Sequence, residues 1–220
     1  MDPAGNRHTD PARDRATETT RRRYDRLSRT YDLMEWAAER RAFEGYRRRL
    51  WSLVEGRRIL EVGVGTGKNI PFYPGGAEVT AIDLSPGMLD KARRRAAELG
   101  SSVELREMDV QDLDFPDGGF DAVLTTFVFC SVPDAVRGLR EMRRVLRPGG
   151  QLLMLEHVLS RRPVLGRAMQ VVNPAVVRIM GANIDRRTRE SIEAAGFLIE
   201  QETYLWLDIV KLFQARSPAG

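Results

Sequence analysis

The residues most able to do chemistry in this chain lie on a glycine-rich turn and on a strand end beside it. The turn reads Glu61-Val62-Gly63-Val64-Gly65-Thr66-Gly67-Lys68-Asn69. Glycines let a backbone turn tightly and admit a ligand closer than any Cβ would permit. Asp83 follows Gly63 by 20 residues, a spacing that suits an acidic residue accepting hydrogen bonds from ribose hydroxyls at the end of the next strand. A third acidic turn, Asp109-Val110, comes after one further strand. A dinucleotide fingerprint, G-x-G-x-x-G, would require glycine at position 68, where the chain has Lys68. The spacing is G-x-G-x-G with Glu61 ahead of it, so a different ribose-bearing ligand is expected.

Proton transfer has few candidates, because the chain holds only 2 His. His8 lies in a polar N-terminal stretch, whereas His157 ends an apolar strand on the same edge as the glycine turn. An imidazole of pKa about 6.5 accepts protons near neutrality, so His157 is the expected base or substrate-orienting residue. The plainer reading is an imidazole hydrogen-bonded to backbone. Glu156 adjoins it, but strand alternation points the two side chains to opposite faces. The single cysteine, Cys130, excludes a disulfide scaffold and a Cys-rich zinc site, and no metal is expected.

These residues need a sheet to hold them. Residues 57–62, 77–82, 103–108, 120–127 and 151–158 read as strands. The run 120–127 is nearly continuous in apolar residues, as a parallel strand covered on both faces requires. Helices are expected over 86–99, 135–146 and 187–195, then strands over 197–206 and 209–215. This alternation predicts an α/β fold with an open, mostly parallel sheet, a C-terminal antiparallel hairpin and helices on both faces. Residues 1–19 are polar and expected as a disordered tail, leaving 20–220 as a single domain. Within it, 20–55 forms an N-terminal helical cap and 160–186 a helical lid insertion. Of the 17 residues 164–180, 11 are apolar, and Val164, Leu165, Ala168, Met169, Val172, Val176, Ile179 and Met180 fall on one helical side. Asn173-Pro174 is expected to break this run into two short helices. The run suits a substrate lid, an interfacial helix at headgroup depth, or an ordinary amphipathic helix packed on the sheet.

Taken in order, the motifs resemble those of the class I S-adenosylmethionine-dependent methyltransferases, over residues 24–216. The resemblance implies a Rossmann-like seven-stranded methyltransferase sheet and S-adenosyl-L-methionine as cofactor. Leu60 to Gly67 match the first motif of that family, whose loop (Gly63, Gly65, Thr66, Gly67) wraps the methionine part of the cofactor above Glu61. Asp83 matches the ribose-holding acid, with Leu84, Ser85 and Met88 around the adenine. Asp109 and Val110 would meet the adenine amino group and face, and Thr126-Phe127-Val128 would line the sulfonium. Cys130 would then lie near the methyl, as a buried filler or, given a low pKa, a nucleophile. Tyr24-Asp25-Arg26-Leu27 and Tyr31-Asp32-Leu33-Met34 resemble the N-terminal helix of the UbiE-like branch, where Tyr24 or Tyr31 would close over the site. The quinone C-methyltransferases of that branch continue with a Leu-Ser-Leu-Gly-like segment, and this chain does not. The stretch Gly65 to Asn69 with Tyr73-Pro74, then Phe129-Cys130-Ser131-Val132 and Leu155-Glu156-His157-Val158, is similar to the membrane-associated thiol methyltransferases of animals. Gly181-Ala182-Asn183-Ile184-Asp185-Arg186 is similar to those enzymes and to bacterial phospholipid N-methyltransferases, with Ala182 where Cys is common. Asn183 and Arg186 would bind a polar headgroup or anchor the lid.

The resemblance therefore implies a methyltransferase acting on a small or lipid-like acceptor. A phospholipid amine or a hydrophobic thiol is favoured over the ring carbon of a ubiquinone or menaquinone precursor, and a non-catalytic cofactor-binding module is the alternative. The net charge is +4, with 15 Arg against 10 acidic residues over positions 1–58 and a slight acidic excess beyond them. That is a local basic arm, either a solvated surface or a contact for an anionic membrane face, and not an even coat for nucleic acid. Nucleobase amine methylation uses an Asn/Asp-Pro-Pro-aromatic motif where this chain has Thr125-Thr126-Phe127-Val128, so no nucleic acid partner is expected. No apolar run is long enough to span a bilayer and no secretory signal opens the chain, so a cytoplasmic protein, peripheral on the inner membrane face, is the expectation. Nothing in the pattern specifies an oligomeric state.

Overall fold

A computed structural model of the chain describes residues 11–27, 42–180, 183, 186–206 and 208–219. Among them the chain runs α1 (Pro11–Leu27), α2 (Ala42–Trp51), β1 (Arg58–Val62), a short 3-10 turn (Ile70–Phe72), β2 (Glu78–Asp83), α3 (Pro86–Leu99), β3 (Glu104–Glu107) and β4 (Phe120–Thr126). It continues through α4 (Ala135–Val145), β5 (Leu146–His157), α5 (Pro163–Met180), α6 (Thr188–Ala194), β6 (Leu198–Trp206) and β7 (Val210–Arg216). The strands form one seven-stranded sheet in the order β3-β2-β1-β4-β5-β7-β6. All neighbours are parallel except β7, which runs antiparallel to both β5 and β6. The order reverses between β1 and β4, and open α/β sheets bind ligands in the crevice at such a switch point.

Side-chain alternation divides the core. Leu60, Val62, Val123, Leu152 and Met154 pack with Leu139 and Met142 of α4 and Ile192 of α6 on one face. Ile59, Leu124, Leu153 and Leu155 pack with Leu50 and Trp51 of α2 on the other. Ala81 on that second face receives Leu89 and Ala92 of α3. Each fully buried leucine contributes roughly 1.5–3 kcal/mol, so both faces are held by dispersed apolar burial. Local signals start and stop the helices. Ser85 caps α3 through its side chain at Met88 N, Pro86 opens it, and Gly100 ends it at φ 62°. Asp134 caps α4 at Arg137 N.

Three expectations change. Residues 11–19 are not a tail but the first half of α1, which begins at Pro11. That helix is polar, and tertiary contacts hold it: Thr17 Oγ1 donates to Asp109 at 3.2 Å, and Arg21 pairs with Glu107 at 3.1 Å. Pro174 does not break α5, which runs unbroken from Pro163 to Met180. A proline costs one helical hydrogen bond. Gly166, Met169 and Asn173 seat the helix ahead of that point and the half-buried Val176 and Val177 beyond it, and Asn173 donates to Asn183 at 3.0 Å. The apolar side expected for α5 is also split, with Met169 buried and Leu165 and Val176 half-buried while Val164, Ala168 and Val172 are exposed. Tyr31 lies outside the described residues.

Candidate functional site

The glycine turn leaves β1 at the switch point. Gly63 N and Val64 N both donate to Ile82 O, at 2.8 and 3.0 Å, which ties the turn to the end of β2. Gly63 has φ +74°, and a Cβ there would meet Val128 at 2.2 Å, so only glycine lets the β1 and β4 loops approach each other. Gly65, also at positive φ, opens onto empty space. Its amide donates to Asp83 Oδ2 at 2.8 Å, while Ser85 N donates to Asp83 Oδ1 at 2.9 Å. Burial pushes the Asp83 carboxyl up to about 6, against the lowering effect of those amides. Each carboxylate oxygen keeps a further lone pair for a ligand hydroxyl.

A cleft opens along this edge. Of the expected residues, Tyr24, Gly63, Gly65, Thr66, Asp83, Leu84, Met88, Asp109, Val110, Thr126 and Phe127 line it. Leu84, Met88, Met108 and Val110 supply an apolar slot beside the Asp83 carboxylate. A backbone turn without Cβ obstruction, a buried carboxylate with acceptor capacity to spare and an apolar slot fit S-adenosyl-L-methionine. Helix α1 covers the slot. Asp25 accepts from the Ser85 hydroxyl and from Gly87 N at 3.1 Å, and Thr20, Arg21 and Tyr24 face the cleft. The Tyr24 hydroxyl hydrogen-bonds Ser131, and burial raises its pKa. Gln111, not anticipated, donates to both oxygens of Asp109 and to Thr17 Oγ1, joining lid to floor. The only sequence signal for it was its place just after Asp109-Val110.

Glu61, Gly67, Asn69 and Ser85 lie behind this lining. Glu61 and Thr126 point to the α2 face of the sheet, where Asn69 Nδ2 donates to Glu61 Oε1 at 2.6 Å and to Thr126 Oγ1 at 3.0 Å. Tyr73 donates to the other Glu61 oxygen. Burial raises the Glu61 pKa, opposed by these donors and by the nearby Arg47 cation. Arg47 is of a type that a polar, solvent-facing helix side ordinarily carries. It is buried instead, donates to Asn69 Oδ1 at 3.2 Å, lies 5.7 Å from the Phe127 ring and lines the cleft. Its position was readable: Phe43, Tyr46 and Leu50 mark the inward stripe, and Arg47 lies on it.

The other end of the cleft is aromatic. Phe127 has φ +56°, an uncommon backbone for a bulky residue and of the kind that concentrates at functional sites. The His157 ring lies 4.5 Å behind it and 6.2 Å from Phe43, so His157 sits behind the Phe127 wall and does not line the cleft. On the opposite sheet face Glu156 Oε1 accepts from Val128 N, Phe129 N and Thr125 Oγ1. Cys130 is buried and donates to Phe127 O, and desolvation raises its thiol to about 12, so it is packing and not a thiolate nucleophile. Asn183 N donates to Cys130 O at 2.8 Å, and Arg186 donates to Val132 O at 2.8 Å. Both tie the return from α5 to the β4 loop, the lid-anchoring option.

Comparison with known proteins agrees with this geometry. A family described as a methyltransferase domain matches residues 60–154. A phosphatidylethanolamine N-methyltransferase of Cereibacter sphaeroides is 43% identical over 60% of this chain and 68% of its own length. A demethylmenaquinone methyltransferase of Clavibacter sepedonicus is 35% identical over 76% of each chain. A thiol S-methyltransferase of Homo sapiens is 36% identical over 63% of this chain and 59% of its own. Among solved structures, a geranyl diphosphate methyltransferase in complex with sinefungin shares the fold at TM-score 0.67, with 18% identity over 80% of this chain and 78% of that one. With the glycine turn, the β2 carboxylate and the seven-stranded order all in place, the chain belongs to the S-adenosylmethionine-dependent methyltransferase family.

Proposed function

We propose that the protein methylates a lipid-like acceptor, a phospholipid amine or a hydrophobic thiol, at a membrane surface reached from the cytoplasm. The observation that carries this reading is the aromatic end of the cleft, where Phe127 and Phe43 enclose the His157 imidazole. Such a wall favours an apolar acceptor, and the imidazole stands behind the Phe127 ring, so proton acceptance by His157 requires that ring to swing aside. S-adenosyl-L-methionine, when bound, supplies a methyl on a positively charged sulfur. With it in place, an acceptor lone pair would take the methyl carbon while the carbon–sulfur bonding pair stayed on sulfur. The amine or thiol gives up one proton, for which His157 is the proposed acceptor. Asp83, Leu84, Met88, Asp109 and Val110 are the proposed adenosine contacts, and the Gly63–Gly67 turn holds the methionine part. Alignment is the main contribution of the protein, because the sulfonium is already a good leaving group. A quinone ring carbon is the second reading, favoured by the longer match to the demethylmenaquinone methyltransferase.

Labelled-methyl transfer to phosphatidylethanolamine, an alkyl thiol and a demethylated quinone, assayed in parallel, separates these readings. Amine or thiol labelling is expected, and His157→Ala is expected to lower kcat about a hundredfold with the cofactor Kd unchanged. Labelling of the quinone alone would overturn the lipid-amine and thiol reading, and full activity of the His157 variant would remove the base.

A further inference from the structure

We infer that the outward face of α5 is a docking surface for a bilayer carrying anionic lipid. This deepens the membrane reading above by assigning it to a face of the fold, and it locates the contact away from the basic N-terminal arm. Val164, Ala168, Val171, Val172 and Ala175 recur at the spacing of a single helical stripe, and all are exposed, Val164 by 84%, Val171 by 79% and Val172 by 49%. The opposite stripe already seats the helix: Gly166, Met169 and Asn173 are buried, and a Cβ at Gly166 would meet Ser160 O at 2.6 Å. The outward valines therefore contribute nothing to the core.

The charge around them has one sign. Positions 157–184 hold no acidic residue, while Arg161, Arg162, Arg167 and Arg178 are all exposed. Arg167 and Arg178 border the valine stripe on one side, and Arg161 and Arg162 precede its first residue. Among the described residues, Asp208 accepts from Ser160 Oγ and Arg161 N and lies 4.0 Å from Arg162 at the foot of the helix. Two residues before it, Trp206 is 50% exposed at the same end of the sheet. Shallow aliphatic side chains, a half-exposed tryptophan and a cationic border are the composition of a helix that lies in the headgroup region. A second copy of this chain is disfavoured, because a two-fold contact through this face would set arginine against arginine. No helix among the described residues is long and apolar enough to cross a membrane.

The test is sedimentation of the full chain with vesicles of phosphatidylcholine, with and without phosphatidylglycerol. Neither lipid is a proposed acceptor, so docking is read apart from methyl transfer. Binding is expected to be about tenfold or more tighter with phosphatidylglycerol and to weaken in high salt. The combined variant Val164→Ser, Val171→Ser, Val172→Ser is expected to lose about tenfold in vesicle affinity with its cofactor Kd unchanged, which controls for folding. The pair Arg167→Gln, Arg178→Gln is expected to flatten the salt dependence. Absence of binding to the anionic vesicles, or equal binding by the valine variant, would overturn the inference while leaving the acceptor screen intact. A dimer that the valine variant dissociates would overturn it in favour of self-association.

Discussion

Replacing Asp83 with alanine is expected to weaken S-adenosylmethionine binding about a hundredfold, equivalent to about 2.7 kcal/mol, measured by titration calorimetry. The carboxylate already accepts from Gly65 N and Ser85 N, so its removal leaves one amide of the glycine turn and the N-cap amide of α3 without a partner. It also removes the proposed ribose acceptor. Hydrogen bonds to a charged group contribute about 1.5–3 kcal/mol each, which makes the expected loss a conservative one. The same residue predicts a pH dependence. Burial raises the Asp83 pKa to about 6 in the ligand-free protein. A protonated carboxyl loses acceptor capacity, so the wild-type Kd is expected to rise as pH falls through 6 and the alanine variant to show a flatter profile. Unchanged affinity in the variant would move the cofactor to another register. A flat wild-type profile would place the Asp83 pKa lower than its burial implies.

Much of this cleft was legible because its signals are local. The Gly63–Gly67 turn, Asp83 and Asp109 each follow a strand that short apolar runs announce, and they converge because parallel strands deliver their C-terminal ends to one edge. What escaped depends on distant partners. Helix α1 has no apolar period over Pro11 to Thr20, and its tethers, Asp109 and Glu107, lie more than eighty residues away. The α5 run is apolar over more than half of its circumference, so periodicity could not separate the stripe that packs from the stripe that faces out. Pro174 shows the limit of a breaker rule, since packing on either side outweighed one lost hydrogen bond. Strand alternation puts His157 opposite Glu156, at the C-terminal end of β5. The intervening Phe127 ring could not be foreseen, because it follows from a positive φ at a non-glycine residue.

Glu156→Gln is expected to change the pH dependence of stability strongly. The Glu156 carboxyl is 1% exposed, and its Oε1 accepts from Thr125 Oγ1 at 3.2 Å, Val128 N at 3.1 Å and Phe129 N at 3.3 Å. Its Oε2 has no hydrogen-bond partner. Lys211 lies opposite on β7 but pairs with Glu202 at 3.4 Å. Burial pushes the Glu156 pKa from 4.5 to about 7, against the two amides and the threonine. The folded state therefore holds a proton that the unfolded chain releases once pH passes 4.5. Stability falls as pH rises through that window and levels off above about 7, by about 3 kcal/mol in total. Glutamine keeps an acceptor oxygen for the three donors and cannot ionise. Its amide nitrogen takes the place of the unpartnered oxygen at a cost that does not vary with pH. Asp83 and Glu61 titrate in both proteins and cancel in the difference. Denaturant melts at pH 5 and pH 8 should thus show the variant gaining on the wild type by about 2.5 kcal/mol between the two, whatever the constant offset. A pH-independent difference would mean that Glu156 keeps an ordinary pKa, and with it a charge that the fold solvates by a route other than Val128, Phe129 and Thr125.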